Sequence, residues 1–245
     1  MRSFRDRRGK AGDERDRASV GAGVVGAAAL LMAASAQAAD SGTGTGEWNF
    51  QVTLDDKPIG THRFSVTADG AGARKVVSDA VFDVRLLGLS VYRYRHQATE
   101  QWRGDCLRML SSDTDDGGET SRVRAAAESD GLRVATEAPA SVKPAVPPMQ
   151  TLGGCVMSFA YWNPAIRSQT QLLNAQTGRY EAVKIVETGR GAAEPFAFRG
   201  QAVSATRWRI EGPVQPVDVW YTAQGEWVGL DSTVGGGRKL KYRLR

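Results

Sequence analysis

Two histidines, His62 and His96, and one glutamate, Glu100, occupy strand-like stretches at positions that send their side chains to the same side as large apolar neighbours. In LSVYRYRHQATEQW, residues Tyr92, Tyr94, His96, Ala98, Glu100 and Trp102 share one parity, while Arg93, Arg95, Gln97 and Gln101 share the other. His62 has the parity of Phe64 and Val66. If the two strands lie close in one sheet, two imidazoles and a carboxylate meet inside a cavity. Such a set could ligate zinc, or serve as acid and base. It could equally contact a ligand, with Tyr94 beside it, or form a buried polar cluster in which every member has a hydrogen-bond partner. Ligands carried on strands have no diagnostic spacing, so the pattern calls for no metal and no other cofactor.

A pair of carboxylates lies near the end of the chain. If Gln224-Gly225 forms a two-residue hairpin loop in VDVWYTAQGEWVGLDS, Tyr221 faces Val228 and Trp220 faces Gly229. An aromatic ring over a strand glycine repairs a weak point, so this register is self-consistent. It also sets Asp218 opposite Asp231, and like charges across a ladder repel. Arginine (Arg207, Arg209 or Arg238), bulk water at a rim, or a retained proton would relieve them. Paired carboxylates are also the equipment of a glycosidase-like acid and base.

Other motifs fall away on context. GAGVVG at Gly21–Gly26 has dinucleotide-loop spacing, but RDRRGKAGDERDRAS before it is too charged for a buried strand. The surroundings read as an export signal over residues 1–38: a charged start, an apolar run from Val20 to Ala34, and small residues Ala36-Gln37-Ala38 for cleavage after about Ala38. That run is shorter than the ~20 residues needed to span a bilayer, so no membrane anchor is expected after cleavage. DTDDGGE at Asp113–Glu119 puts Gly117 where a calcium loop needs its third ligand, and reads as a hairpin turn. Neither a G-x-S-x-G elbow nor a GK[ST] phosphate loop is present.

Of the 245 residues, 39–245 are expected to form a single β-rich periplasmic domain. The leader takes with it seven of the 32 basic and four of the 27 acidic residues, leaving about 25 against 23. That balance removes the case for nucleic acid that a pI near 9.4 suggests. Cys106 and Cys155 are the only cysteines, and in an exported chain they read as one disulfide across the Pro-rich stretch APASVKPAVPPMQ.

The elements that position these groups are mostly short strands with period-two alternation. They include WNFQVTL, Arg74 to Leu87, Leu89 to Trp102, a meander after Cys106, and four or five more after Gly178. CVMSFAYW and AIRSQTQLLN, split by Asn163-Pro164, are the only plausible helical pieces. We therefore expect an all-β protein, an antiparallel curled sheet or incomplete barrel (a β-spiral). One short helical segment bearing Phe159, Tyr161 and Trp162 would serve it as lid or plug.

The phrases EWNFQVTLDDKPIGTHRF, VYRYRHQATEQW, SFAYW and DVWYTAQGEWVGLDS followed by GGRKLKYRL resemble the DUF6134 family across nearly all of the expected mature chain. The resemblance implies an exported bacterial protein of undefined function. More distantly the chain is similar to DUF3108 proteins and to LolA/LolB-like half-barrels that hold acyl chains. The expected function is a non-enzymatic envelope protein that binds an apolar, lipid-like molecule or an envelope partner. The ligand contacts would be His62, Tyr94, His96, Glu100, Phe159 and Trp162. The alternatives are a hydrolase or metal-dependent enzyme using the His/Glu set or the Asp pair, and an interaction module with a filled core.

Overall fold

Alternation of apolar and polar side chains carries through almost every strand, because one face is packed and the other faces water. The computed structural model describes residues 45–245 except 71, 144, 191–194 and 213–214. The GAGVVG motif, the expected leader and its expected cleavage site lie outside the described residues. The strands are β1 (Gly46–Leu54), β2 (Lys57–Ala68), β3 (Ala73–Leu86), β4 (Leu89–Arg103), β5 (Cys106–Asp116), β6 (Glu119–Glu128), β7 (Gly131–Glu137) and β8 (Met149–Leu152). There follow β9 (Gln171–Leu173), β10 (Tyr180–Ala182), β11 (Lys184–Arg190), β12 (Phe196–Phe198), β13 (Gln201–Val203), β14 (Thr206–Glu211), β15 (Val217–Tyr221), β16 (Trp227–Val234) and β17 (Arg238–Leu244).

Thirteen of these make one sheet in the order β11-β14-β15-β16-β17-β1-β2-β3-β4-β5-β6-β7-β8, with antiparallel neighbours throughout. The sheet is curled and is not closed into a barrel. β1 and β17 pair from Phe50↔Leu244 to Leu54↔Leu240, so the first and last strands meet near the middle. An aromatic cluster fills the trough beneath them: Phe50 lies 4.4 Å from Trp227 and 5.9 Å from Tyr242, ring centre to ring centre. These side chains are all buried, and offset or tilted ring pairs add to the area they remove from water.

The expected helical segment is corrected in extent: CVMSFAYW is not helical, and only the start of AIRSQTQLLN is. Residues 156–163 form no helix, and the sole helical turn in this stretch is a 3-10 turn at Pro164–Ser168. Asn163 caps it by accepting a hydrogen bond from the Ala165 amide at 3.0 Å. Val156, Met157, Ser158, Ala160, Trp162 and Asn163 are all buried, so the segment has no solvent face of the kind an amphipathic helix needs. Its backbone is satisfied by strands instead. The Leu107 amide donates to the Val156 carbonyl, and the Leu173 amide to the Met157 carbonyl, both at 2.8 Å. It is an irregular plug seated in the trough, held to β5 by the Cys106–Cys155 disulfide.

On the outer face, Trp220 and Val228 are covered by Phe196 and Ala205 in a second, smaller core. A side-chain carbon added at Gly229 would collide with the Phe196 ring, so this glycine is needed for that close approach. Among the described residues no helix is long and apolar enough to cross a membrane.

Candidate functional site

A cavity of about 500 Å³ lies between the inner face of the sheet and the plug. β2, β3 and β4 supply one wall through His62, Phe64, Ser78, His96, Ala98 and Glu100. The plug supplies Phe159, Tyr161 and Trp162, and β14–β16 supply Ile210, Val217 and Ser232. All the wall residues from β2 to β4 are even-numbered, which is the period-two rule expressed as a lining.

The structure sets the two histidines and Glu100 on one face without bringing them into contact. Register pairs His62 with Ala80 and Ala80 with His96, so a whole strand separates the imidazoles, a gap of roughly 10 Å. Glu100 lies four residues from His96 along β4, roughly 13 Å away. Each group has its own partner. His62 Nε2 is 2.8 Å from Ser78 Oγ, and His96 Nδ1 is 2.9 Å from Thr114 Oγ1. Glu100 accepts from Trp102 Nε1 at 2.8 Å and from Ser158 Oγ at 2.9 Å. Among the described residues no three His, Cys, Asp or Glu side chains converge as a metal would require. The convergent triad considered from the sequence is therefore replaced by three separate polar points on an apolar wall.

Burial governs their protonation. Desolvation pushes His62 down to about 3, with repulsion from His96 a smaller cause, and pushes His96 down to about 4, partly offset by Asp113 and Asp79. Desolvation raises Glu100 from its ordinary value against the lowering effect of its two donors. A neutral imidazole of such low basicity, with no carboxylate behind it, gives Ser78 no effective general base. His62 Nδ1 is buried and has no hydrogen-bond partner among the described residues, so a polar group in the cavity could satisfy it.

These shifts predict an acid-sensitive fold. Below pH 6.5 the unfolded chain protonates both histidines while the folded chain leaves them neutral until pH 4 to 3. Stability is thus lost as pH falls through that window, by roughly 2 kcal/mol per histidine at pH 5. Glu100, with its raised pKa, acts in the opposite sense and gains from acid. Urea melts at pH 7 and pH 5 should show a shallower loss for His62→Gln/His96→Gln than for the parent. Equal losses would refute the assignment.

Tyr94 is placed differently from the expectation. It does not line the cavity but stacks on Phe82 at 5.1 Å, where its ring is core. Trp162 does reach the cavity wall, and also packs edge-on against Trp102 at 5.4 Å beneath the Arg74 guanidinium.

The Asp pair forms in the expected register, Asp218↔Asp231 with Trp220↔Gly229. The hairpin loop is longer than two residues, and a bulge at Val228 sets Tyr221 opposite Trp227 instead of Val228. Both carboxylates are on the face of Trp220, away from the cavity. Arg209 holds Asp218 with two bonds of 2.8 Å. Arg243, which the sequence reading did not consider, holds Asp231 at 2.6 and 3.2 Å. Of the other candidates, Arg207 reaches Thr188 and Arg238 reaches Asp55. The pair is an arginine-neutralised ladder, not a facing acid and base. The signal for Arg243 was the alternation in RKLKYRL, which puts Arg243 on the face opposite Tyr242.

The family model "Domain of unknown function (DUF6134)" matches residues 50–245, which take in the whole cavity wall. The chain belongs to the DUF6134 family. Among solved structures, the DUF6134 chain is similar to one described as a beta-barrel-like protein of domain of unknown function DUF1849 from Brucella abortus. The two share 12% identity, 81% of this chain and 94% of that one are covered, and the TM-score is 0.57. That likeness concerns the fold alone, and agrees with the incomplete barrel. No curated protein matches the chain.

Proposed function

We propose that this DUF6134 protein is an exported envelope protein, with residues 1–38 as its leader and 39–245 as one periplasmic domain. It binds an apolar, lipid-like molecule in the cavity under the plug. The carrying observation is the cavity itself, whose volume of about 500 Å³ falls within the roughly 300–1,000 Å³ of small-molecule sites. Phe64, Val76, Ala98, Ile210 and Val217 offer apolar wall, and His62 and His96 offer neutral hydrogen-bonding groups that orient one polar end. A disulfide is what an oxidising compartment favours. Catalysis is less well supported, since the His/Glu set is dispersed and the Asp pair is neutralised outside.

The test is extraction of the purified protein with organic solvent, followed by mass spectrometry and titration with a fluorescent fatty acid. The parent should yield about one equivalent of lipid or bind the probe. Ala98→Phe fills the cavity from its wall and should abolish both while keeping the far-UV spectrum of a β protein. A parent that neither carries lipid nor binds the probe, or an Ala98→Phe variant that binds it unchanged, would overturn the proposal.

A further inference from the structure

Three neighbouring hairpins turn at the same end of the sheet, and they solve the same turn differently. β1–β2 turns through Asp55 and Asp56, with φ of 49° and 63°, and β5–β6 through Gly117 and Gly118, with φ of 63° and 95°. These residue types tolerate left-handed backbone. β3–β4 turns through Leu87 and Gly88, at 52° and 83°. Leu87 is the sole apolar side chain with positive φ among the described residues, and it is 95% exposed. A leucine there is disfavoured by its backbone and again by its contact with water. Asparagine or glycine would relieve both, so folding does not account for the choice.

The surroundings extend the anomaly. Leu86, Leu89 and Val91 are exposed at 63%, 72% and 58%. β2 stops pairing with β3 at Phe82, and β5 stops pairing with β4 at Tyr94. Residues 83–93 therefore extend past the last paired rung on both sides, and run roughly 13 Å past the β5–β6 turn. Behind the leucines sit Arg85, Arg93 and Arg95. Arg85 is held by Asp83 at 2.8 Å and Arg93 donates to Ser90 at 3.1 Å, both on the exposed shaft. The order from the tip inward is hydrocarbon first and guanidinium second. A bilayer surface presents its layers in the complementary order, phosphate outside acyl chain.

We propose that the β3–β4 tip docks the protein on a phospholipid bilayer, with Leu86, Leu87 and Leu89 entering the acyl boundary and Arg85 and Arg93 meeting lipid phosphates. A narrow convex projection suits a deformable surface better than a flat protein face. Of the exposed members of the cavity lining, Gly212, Gln215 and Gly235 lie in the loops β14–β15 and β16–β17, at the same end of the sheet as this tip, and Gln176 lies in the β9–β10 loop. Docking would bring the cavity mouth toward the membrane, although the inference stands on the hairpin and does not need an occupied cavity.

Because Cys106 and Cys155 are bonded to each other, Leu87→Cys supplies the one free thiol for an environment-sensitive fluorophore. The label reports the tip itself, whatever the leader does in the full chain. On addition of vesicles of phosphatidylethanolamine and phosphatidylglycerol, its emission should shift to the blue and its quenching by aqueous iodide should fall. The same label at Glu119→Cys, on the neighbouring hairpin, should be unmoved. Leu86→Ser combined with Leu89→Ser in the labelled protein should weaken the vesicle concentration dependence about tenfold or more without changing the melting curve. An unchanged Leu87→Cys spectrum with these vesicles overturns the proposal. So does a blue shift that arises without vesicles as protein concentration rises, which would assign the tip to a second copy of the chain. Failure here with lipid still extracted from the parent would leave the cavity reading in place.

Discussion

Reduction of the Cys106–Cys155 bond should lower stability by about 4 kcal/mol, the loop-closure value for cross-linking residues 49 apart. The effect should exceed that of any surface substitution, because the closed loop contains the Pro-rich stretch between β7 and β8 and leads directly into the plug. Cys155 begins that plug, and its partner Cys106 begins β5, immediately beside the Leu107–Val156 backbone bond. Without the covalent tie, the plug keeps its buried Met157 and Trp162 but loses its tether to the wall. Urea melts of the parent with and without reductant, and of Cys106→Ser/Cys155→Ser, should agree. Iodide should also quench the Trp162 region more readily in the reduced protein. A loss below about 1 kcal/mol would mean that the plug is held by packing alone.

Trp102→Ala should be comparably severe, at about 4 kcal/mol. The Trp102 ring is 1% exposed, meets Trp162 edge-on, and donates its indole hydrogen to Glu100. Removing it leaves a void where β4 meets the plug and strips one of the two donors from a buried carboxyl. Trp102→Phe separates the two effects. It keeps most of the apolar volume and should cost about 1–3 kcal/mol for the lost donor. Glu100 in that variant should hold its proton to a still higher pH, so the loss should grow as pH rises. Denaturant melts from pH 4 to pH 9 would show this, and a pH-independent difference would mean that the indole contributes packing only.

Much of the sheet was legible because its strands are one-sided. β3 and β4 were located to within a residue from alternation alone. The Asp218–Asp231 register, drawn from an assumed Gln224-Gly225 loop and supported by the aromatic–glycine match, holds because the bulge at Val228 offsets the longer loop. The bulge at Val228 was not legible, since its reason, the outer cluster around Phe196, comes from a hairpin more than twenty residues earlier. The same distance effect hid Arg243 and misassigned SFAYW. A segment buried on every side has no period to read, and its partners at Leu107 and Leu173 are contributed by the tertiary fold. The parity that put His62, His96 and Glu100 on one face was correct. Their separation was not readable, because it depends on the intervening strand β3 and on how sharply the sheet curls. Tyr94 shares that parity and still misses the cavity, for the same reason.

The pairing of β1 with β17 has a bearing on how the chain acquires its shape. The seam sits between two arms of the sheet, and its halves are separated by almost the whole polypeptide, so the ladder at its centre is the last to be written. Until β17 docks, β1 presents an unpaired edge with Phe50 beneath it. Pairings of such long sequence separation form slowly. A folding chain therefore waits for its last strand, and in that interval the exposed edge is open to aggregation or to the care of a chaperone.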